Sequence, residues 1–385
     1  MAITERLFDK YPYETCFSAK VLNCEKGERG FWVELDRTLF FPEEGGQSPD
    51  KGVLDGKQVQ DVQIEKECIR HLLEEEVEVG KEVEGTIDWN HRFSNMQQHS
   101  GEHIFSGTVH KWFGYRNVGF HLSDQIVTMD FDGILTEEDV DRIEDYVNSV
   151  IVANLPVEAS YPTKEELETL SYRSKIEIEG QVRIVTIPGV DVCACCAPHV
   201  QRTGEIGQLK VMNLMNYKGG VRISFLCGFR ALEEERLQGK ILASLTKELT
   251  TNQESLVSSV VKLKNQTISL NSKLMGVKQK LLEIELEKVP SEQKDVFLFE
   301  GGLEDSVMRN GVNYLLERHE GICGIFSGDE NAGYKFILGS SKKDCRLIAA
   351  VLREKLQGKG GGTPVMIQGH VNATEDAIRD AILTM

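Results

Sequence analysis

The sequence predicts an α+β protein in four parts: a small β-barrel, a mixed α+β core, long coiled-coil helices and a C-terminal α/β glycine-rich domain. Three observations support this prediction. Short β-rich runs are separated by glycine turns at the start, helical and strand patterns mix in the middle, and apolar residues then recur at helical spacing. At 385 residues, the chain also exceeds the usual size of one hydrophobic core. The predicted parts span residues 1–90, 91–229, 230–290 and 291–385.

The first half of the chain changes from strand-rich to mixed at about Trp89. Before it, runs such as residues 31–35 and 59–64 alternate with glycine turns and predict the barrel. After it, helical periodicity and strand-like alternation occur together, which predicts the α+β core. The helices are expected at residues 95–112 and 137–154, and the strands near residues 126–131, 182–187 and 221–227.

Apolar residues from Leu242 to Ile284 recur at steps of three and four, with one stutter. This spacing predicts a coiled-coil seam that ends at or before Pro290. Because such a narrow apolar stripe needs a facing one, the seam favours self-association, and we expect a homodimer. A helical hairpin with a turn near residues 265–271 is the alternative. Beyond about residue 295, alternating strands and helices predict the compact C-terminal domain.

The composition is that of an ordinary soluble globular protein, with 40% hydrophobic and 27% charged residues. No apolar run approaches the length of a membrane span, and the first residues lack the basic and then apolar order of a signal peptide. We therefore expect a cytoplasmic protein, in which the nine cysteines stay reduced and available as metal ligands.

The net charge of −17 argues against a nucleic-acid partner, but binding to phosphates depends on local clusters of lysine and arginine. Such a cluster surrounds a triple glycine near the C-terminus. The alternative for this cluster is the solvated face of an amphipathic helix. Its basic members are Lys342, Lys343, Arg346, Arg353, Lys355 and Lys359.

Two short motifs contain residue types that bind zinc. His99 and His103 are four residues apart, so on a helix they lie on one face and can converge on one ion. Cys195 and His199 repeat that spacing further along the chain. Nitrogen and sulfur donors suit Zn²⁺ better than Mg²⁺ or Ca²⁺, which prefer oxygen. Each motif alone has an ordinary alternative, solvated helix histidines or a small buried cysteine, but together they predict one zinc site.

Four segments together resemble a known family. The histidine and cysteine motifs, in this order and at this separation, resemble the editing domain of alanyl-tRNA synthetase and the free-standing AlaX editing proteins. Residues 40–52 resemble the glycine-rich loop that precedes the zinc core in the longer AlaX forms. Residues 358–369 resemble the C-terminal glycine-rich domain that alanyl-tRNA synthetases share with DHH-type phosphoesterases. The resemblance runs from near Thr38 to the C-terminus.

This resemblance implies a trans-editing hydrolase that deacylates tRNA(Ala) mischarged with serine or glycine, and hence a role in translation fidelity. It implies His99, His103, Cys195 and His199 as the zinc ligands, with Cys195 and not Cys196 at the family's spacing. The zinc would either activate a water molecule or hold the α-amino group of the substrate.

The resemblance also implies residues of a substrate pocket. The polar pocket residue falls near Asn117, and Gly45, Gly46 and Gln47 of the glycine-rich loop would help to close the pocket. For the glycines, a tight turn alone is the alternative. Glu102 lies between two ligands, but its helical position points it off their face and predicts a structural or supporting role. The implied tRNA-binding residues are Lys342, Lys343, Arg346, Lys359, Gly360, Gly361 and Gly362.

Two other functions stay open at the level of sequence. The same ligands would serve a zinc hydrolase acting on another ester or amide. They would also serve a nucleic-acid-binding protein in which the zinc only stabilises the fold. Phosphoesterase activity is disfavoured, because the chain has no Asp-His-His motif to accompany its C-terminal segment.

Overall fold

The computed structural model describes residues 3–174 and 181–384. The fold is mixed α+β, and the chain divides into two compact units, Met1–Leu242 and Ala243–Met385. The finer four-part division stays a prediction.

The first unit is rich in strands. They are β1 (Glu5–Arg6), β2 (Cys16–Lys26), β3 (Phe31–Leu35), β4 (Arg37–Thr38), β5 (Gly52–Leu54), β6 (Lys57–Val59), β7 (Asp61–Glu65), β8 (Cys68–Leu73), β9 (Glu82–Ile87), β10 (Asn117–Leu122), β11 (Val127–Phe131), β12 (Glu158–Ser160), β13 (Ile184–Ile187), β14 (Asp191–Ala194), β15 (Leu209–Tyr217) and β16 (Gly220–Cys227). Its helices are α1 (Leu7–Lys10), α2 (Trp89–Phe113), α3 (Glu137–Val152) and α4 (Lys164–Thr169), and α5 (Gly228–Glu248) begins in it.

The predicted barrel is present as a nearly closed seven-stranded sheet with the strand order β6-β5-β9-β2-β3-β8-β7. Its two outermost strands are separated in sequence by Gln60 alone, so the sheet must curl until its edges meet. The Gln60 N–H donates to the Leu72 carbonyl of β8 at 2.9 Å, which extends the β7–β8 pairing to the residue that joins the two edges. Alternate residues along its strands point inwards and fill the interior. Val33, Leu35 and Ile69, for example, are completely buried.

A four-stranded antiparallel sheet, β10-β11-β16-β15, forms the second layer of this unit. Helix α2 packs on it and is buried at every position from Asn95 to Val109, so it is a central helix and not a surface one. The Asp88 side chain caps its start by accepting from the His91 N–H, and Gly114 ends it in the left-handed conformation. The predicted helix over residues 95–112 is thus confirmed.

A three-stranded sheet, β12-β13-β14, and the short pair β1-β4 complete the sheets of this unit. Strand β14 ends at Ala194, directly before the cysteine motif, and its partner β13 holds it in antiparallel register. The cysteine motif therefore directly follows an edge strand, whereas the histidine motif lies in the middle of a buried helix.

The apolar repeat is helical but interrupted. Helix α6 (Leu256–Glu287) runs straight through residues 265–271, so a hairpin turn there is wrong. The interruption lies before it, where Thr250 takes the left-handed conformation and the Asn252 side chain accepts from the Ser255 N–H. The sequence pattern missed this break because the three-four steps continue across it. Coiled-coil pairing itself stays a prediction.

The second unit continues from α6 with β17 (Val296–Phe299), α7 (Asp305–Leu316), β18 (Ile322–Asp329), β19 (Gly333–Ser340), α8 (Cys345–Leu356), β20 (Lys359–Gly362), β21 (Met366–Val371) and α9 (Glu375–Leu383). These strands form one sheet in the order β17-β18-β19-β21-β20. One apolar cluster joins it to α8 and α9, and another joins it to α7 and to the end of α6. The glycine-rich segment is β20, an exposed strand at the sheet edge. Among the described residues, no helix is long and apolar enough to cross a membrane.

Candidate metal centre

The four predicted ligands meet at one point inside the first unit. The Cys195 Sγ atom lies 3.5 Å from His99 Nε2 and 3.3 Å from His199 Nε2. Together with His103, the donor atoms all lie within 4.8 Å of one another. Ligands around a tetrahedral zinc are separated by about 3.3–3.6 Å, because the bonds are about 2.0 Å to nitrogen and 2.3 Å to sulfur. The two sulfur–nitrogen distances therefore fit a zinc ion, and the remaining donors lie near enough to complete its ligand set.

Each imidazole is oriented by a hydrogen bond at its outer nitrogen, Nδ1. Because all three Nδ1 atoms are occupied in this way, the Nε2 atoms are left to face the common centre. The partner is a different chemical group in each case. His99 is bonded to Gln47 Oε1 at 2.8 Å, His103 to Asp191 Oδ2 at 3.0 Å, and His199 to Ser100 Oγ at 3.1 Å.

The electrostatics of the centre favour a bound cation. Burial alone would raise the pKa of the Cys195 thiol, but His99 and His199 hold that pKa well below its usual range. Burial lowers the pKa of His199 to about 3, so this imidazole stays neutral and keeps a lone pair for a metal. Burial also opposes a charge on His103, but Cys193 and Asp191 more than offset it and hold its pKa well above the usual range. A thiolate and a nearby carboxylate thus attract positive charge to this point.

The cysteine loop is fixed from outside by Arg183, which sequence reasoning missed. Its Nη1 atom donates to the carbonyl oxygens of Cys195 and Ala197, both at 2.9 Å. Cys196 is not among the four converging donors, and a Cβ atom on Gly45 would lie 3.5 Å from its Sγ atom. Burial raises the pKa of the Cys196 thiol, and the Cys195 thiolate and Glu44 raise it further. A neutral thiol outside that set of donors is a poor rival ligand.

Glu102 lies closer to the centre than helical spacing predicts. The residue is 1% exposed, and its Oε1 atom accepts from Ser106 Oγ at 2.7 Å and from Asn117 Nδ2 at 2.5 Å. Its Oε2 atom is 3.9 Å from His103 Nε2, the nitrogen that faces the centre. A glutamate side chain has enough length to bend back along the helix, which position on a helical wheel does not capture. The carboxylate therefore borders the metal centre.

Asn117 holds Glu102 in place. Its Nδ2 group donates to both Glu102 and Ser106, and its Oδ1 atom accepts from the Gly119 N–H at 3.1 Å. Its polar atoms are thus bonded within the protein. The structure places Asn117 next to the centre, but a direct role in the substrate pocket stays a prediction.

The glycine-rich loop crosses from the barrel to β10 and brings Gln47 to His99. Gly45 and Gly46 have φ values of +63° and +84°, which side chains rarely adopt. The Gly46 carbonyl accepts from the Leu122 N–H at 2.7 Å, and a Cβ atom on Gly46 would lie 2.3 Å from the Phe120 carbonyl oxygen. The glycines are therefore needed for the turn and for this close approach.

One polar atom of the Gln47 side chain lacks a protein partner. Gln47 is 1% exposed, and because its Oε1 atom accepts from His99, its Nε2 group must point elsewhere. Within residues 3–174 and 181–384, this buried Nε2 group finds no hydrogen-bond acceptor. A buried donor without a partner beside a metal centre is available to a ligand or to water.

The predicted tRNA-binding residues all lie in the second unit and are exposed. Lys359, Gly360, Gly361 and Gly362 form β20. Two of the basic side chains are partly neutralised, since Lys342 pairs with Glu320 at 2.5 Å and Arg346 with Asp344 at 2.6 Å.

Two protein-family models match parts of this chain. Residues 182–224 match the threonyl and alanyl tRNA synthetase second additional domain, and residues 14–91 match the class II (A) tRNA synthetases. The first match contains the cysteine motif, and the second covers the barrel.

Curated relatives match over greater lengths. The chain is 28% identical to alanyl-tRNA editing protein AlaX-L of Pyrococcus horikoshii, and the match covers 99% of this chain and 98% of that protein. It is 28% identical to alanyl-tRNA editing protein Aarsd1 of Mus musculus, over 94% of this chain and 92% of that protein. It is also 31% identical to alanine–tRNA ligase of Ignicoccus hospitalis, but spans only 32% of that longer protein.

Proposed function

Because this chain belongs to the family of the alanyl-tRNA editing proteins AlaX-L and Aarsd1, we propose that it is a zinc-dependent aminoacyl-tRNA deacylase. Its proposed substrates are tRNA(Ala) molecules mischarged with serine or glycine. The observation that carries the proposal is the convergence of three imidazole nitrogens and one thiolate in a buried centre. This donor set matches zinc in both chemistry and spacing.

A zinc ion held by these four residues would supply a Lewis acid that polarises a water molecule or a carbonyl oxygen. The chain itself contributes polar groups beside that point. The Glu102 carboxylate can accept a hydrogen bond from a substrate hydroxyl or ammonium group, and Gln47 Nε2 can donate one to a carbonyl oxygen. Such groups would distinguish serine from alanine, because alanine cannot bond to a buried acceptor.

Binding of the tRNA is assigned to the second unit. The basic cluster and the exposed strand β20 offer cationic side chains and backbone groups to phosphates. The apolar repeat of α6 remains about half exposed, as at Leu263, Leu274 and Ile284, which supports a homodimer formed through this helix. A cytoplasmic location is part of the same proposal.

One observation favours a second candidate, a nucleic-acid-binding protein with a structural zinc. Four protein ligands close a tetrahedral zinc, whereas catalytic zinc sites commonly keep one position open. The buried Glu102 carboxylate and the Gln47 Nε2 group, which has no acceptor among the described residues, favour the deacylase, because a structural site has no need of such groups beside it.

Deacylation of Ser-tRNA(Ala), Gly-tRNA(Ala) and Ala-tRNA(Ala), measured side by side with the full chain, tests the proposal. We expect both mischarged species to be hydrolysed, serine faster than glycine, and Ala-tRNA(Ala) to be hydrolysed at least about 100-fold more slowly. Spontaneous hydrolysis without protein is the control for each ester. Equal rates on all three would exclude editing and favour a general esterase, and no rate above the spontaneous one would favour the structural zinc.

A further inference from the structure

We infer that Asp191 is a positioning residue for the metal centre, which acts by holding the His103 imidazole with its Nε2 atom towards the metal. The inference rests on the proposed metal site and adds residues to it that no motif contains. Three features carry it: the hydrogen bond from His103 to Asp191, the two bonds that Arg173 makes to the same carboxylate, and the space that Gly107 leaves for it.

The Asp191 carboxylate contacts His103 at Nδ1, the ring nitrogen that faces away from the metal centre. The His103 Nδ1–H group donates to Asp191 Oδ2 at 3.0 Å, and both side chains are 2% exposed. An imidazole whose Nδ1 carries the proton has its lone pair on Nε2, where a metal can take it. The carboxylate thus fixes the tautomer and the ring orientation, and its negative charge makes Nε2 a stronger donor.

Arg173 fixes the carboxylate in turn. Its Nε atom donates to Asp191 Oδ1 at 2.7 Å and its Nη2 atom to Asp191 Oδ2 at 2.8 Å, the two-pronged geometry that guanidinium and carboxylate groups prefer. The Arg173 backbone also pairs with β14, since its N–H donates to the Val192 carbonyl and its own carbonyl accepts from the Ala194 N–H. Arg173 is therefore anchored to the strand that leads into Cys195.

Gly107 makes the contact possible. It lies one helical turn after His103 on α2, on the same face. A Cβ atom at this position would lie 2.8 Å from the Asp191 Cβ atom and 2.9 Å from its Oδ1 atom. Only a residue without a side chain lets the carboxylate lie flat against the helix.

Asp191 is not itself a ligand of a second metal. The potential ligand atoms of His103, Asp191 and Cys193 lie close enough together for these residues to be considered as a second metal site. However, both Asp191 oxygens already accept from Arg173, and a guanidinium cation at that distance would repel a metal ion. Of the partners that the three imidazoles use, Asp191 alone is charged, which makes it the one with the largest expected effect on metal affinity.

The test compares Asp191→Asn with Asp130→Asn in the full chain. Asp130 is a matched control, because Arg222 donates the same two hydrogen bonds to its carboxylate, at 2.6 and 2.7 Å. Asp130 contacts no proposed ligand. The readouts are the zinc dissociation constant, from competition with a chromophoric chelator, and the visible absorption of the Co²⁺-loaded protein. We expect Asp191→Asn to weaken zinc binding about 10–100-fold and to shift the Co²⁺ bands, with neither change in Asp130→Asn.

A second variant keeps the test decisive if Asp191→Asn folds poorly. Arg173→Lys retains the positive charge but cannot donate both hydrogen bonds to Asp191 in the same geometry. It should therefore weaken zinc binding as well, by a smaller factor than Asp191→Asn does. The inference is overturned if Asp191→Asn and Arg173→Lys both bind zinc as tightly as Asp130→Asn while the unmodified chain binds zinc. If the unmodified chain binds no zinc, the metal site of the proposed function fails instead, so the two failures are distinguishable.

Discussion

Replacing Cys195 with alanine is expected to remove both the metal and the activity. The thiolate is the one anionic donor among the four proposed ligands, and without it three imidazoles would hold zinc far more weakly. We expect the metal content to fall from about one zinc per chain to near none. Because a metal contributes several kcal/mol to such a reaction, Ser-tRNA(Ala) deacylation should fall at least about 100-fold. Elemental analysis and deacylation rates measure these two effects.

Cys196→Ala is the matched control for this prediction. The two cysteines are neighbours in the chain, but Cys196 is not among the four converging donors and its raised pKa keeps its thiol neutral. We expect zinc content near that of the unmodified chain and activity within about threefold of it. The opposite pattern, with Cys196 needed for zinc and Cys195 dispensable, would mean that the proposed ligand is wrong by one residue.

The largest expected effect on stability comes from Arg92→Met. Arg92 and Asp50 form a completely buried ion pair, in which Arg92 also donates to the Leu39 carbonyl at 2.5 Å. Removing one partner of a buried pair leaves an uncompensated charge, which costs about 3–5 kcal/mol of unfolding free energy. That is a large fraction of the stability of an ordinary domain. The pair also ties the end of the glycine-rich loop to α2, so the hydrogen bond from His99 to Gln47 should weaken as well.

Fluorescence during denaturant unfolding measures this loss, because all three tryptophans lie in the first unit. Arg116→Met is the control, since Arg116 pairs with Asp132 but is 77% exposed, and surface pairs contribute at most about 1 kcal/mol. The double variant Arg92→Met with Asp50→Asn should recover part of the loss, because the asparagine is uncharged and can still accept from the Phe41 N–H. If Arg92→Met and Arg116→Met unfold at the same denaturant concentration, the buried pair does not contribute as described.

The sequence predicts those parts of the site that depend on local spacing. Two histidines four residues apart identify one face of a helix, and the apolar residues around them indicate that this helix is buried. The strand alternation before Trp89 likewise predicts the barrel. These features follow from regular backbone geometry, which repeats over a few residues and can therefore be recognised in a sequence.

The groups that orient the ligands could not be predicted in this way. Gln47 reaches His99 from a loop, Asp191 reaches His103 from a strand, and Ser100 reaches His199 from helix α2. No shared spacing connects these partners. Helical position alone places Glu102 off the ligand face, because it gives the direction of Cβ but not the path of a long side chain. The glycine at position 107 was an indirect signal, since a glycine inside a buried helix marks a close approach.

The central claim is that the four converging residues hold a metal on which deacylation depends. It is tested most directly by the rate of Ser-tRNA(Ala) hydrolysis before and after the full chain is stripped with a chelator, and again after zinc is restored. We predict that the stripped protein, shown to be metal-free by elemental analysis, loses its activity and that one equivalent of zinc per chain restores it. A metal-free protein that hydrolyses Ser-tRNA(Ala) at its original rate would contradict the account.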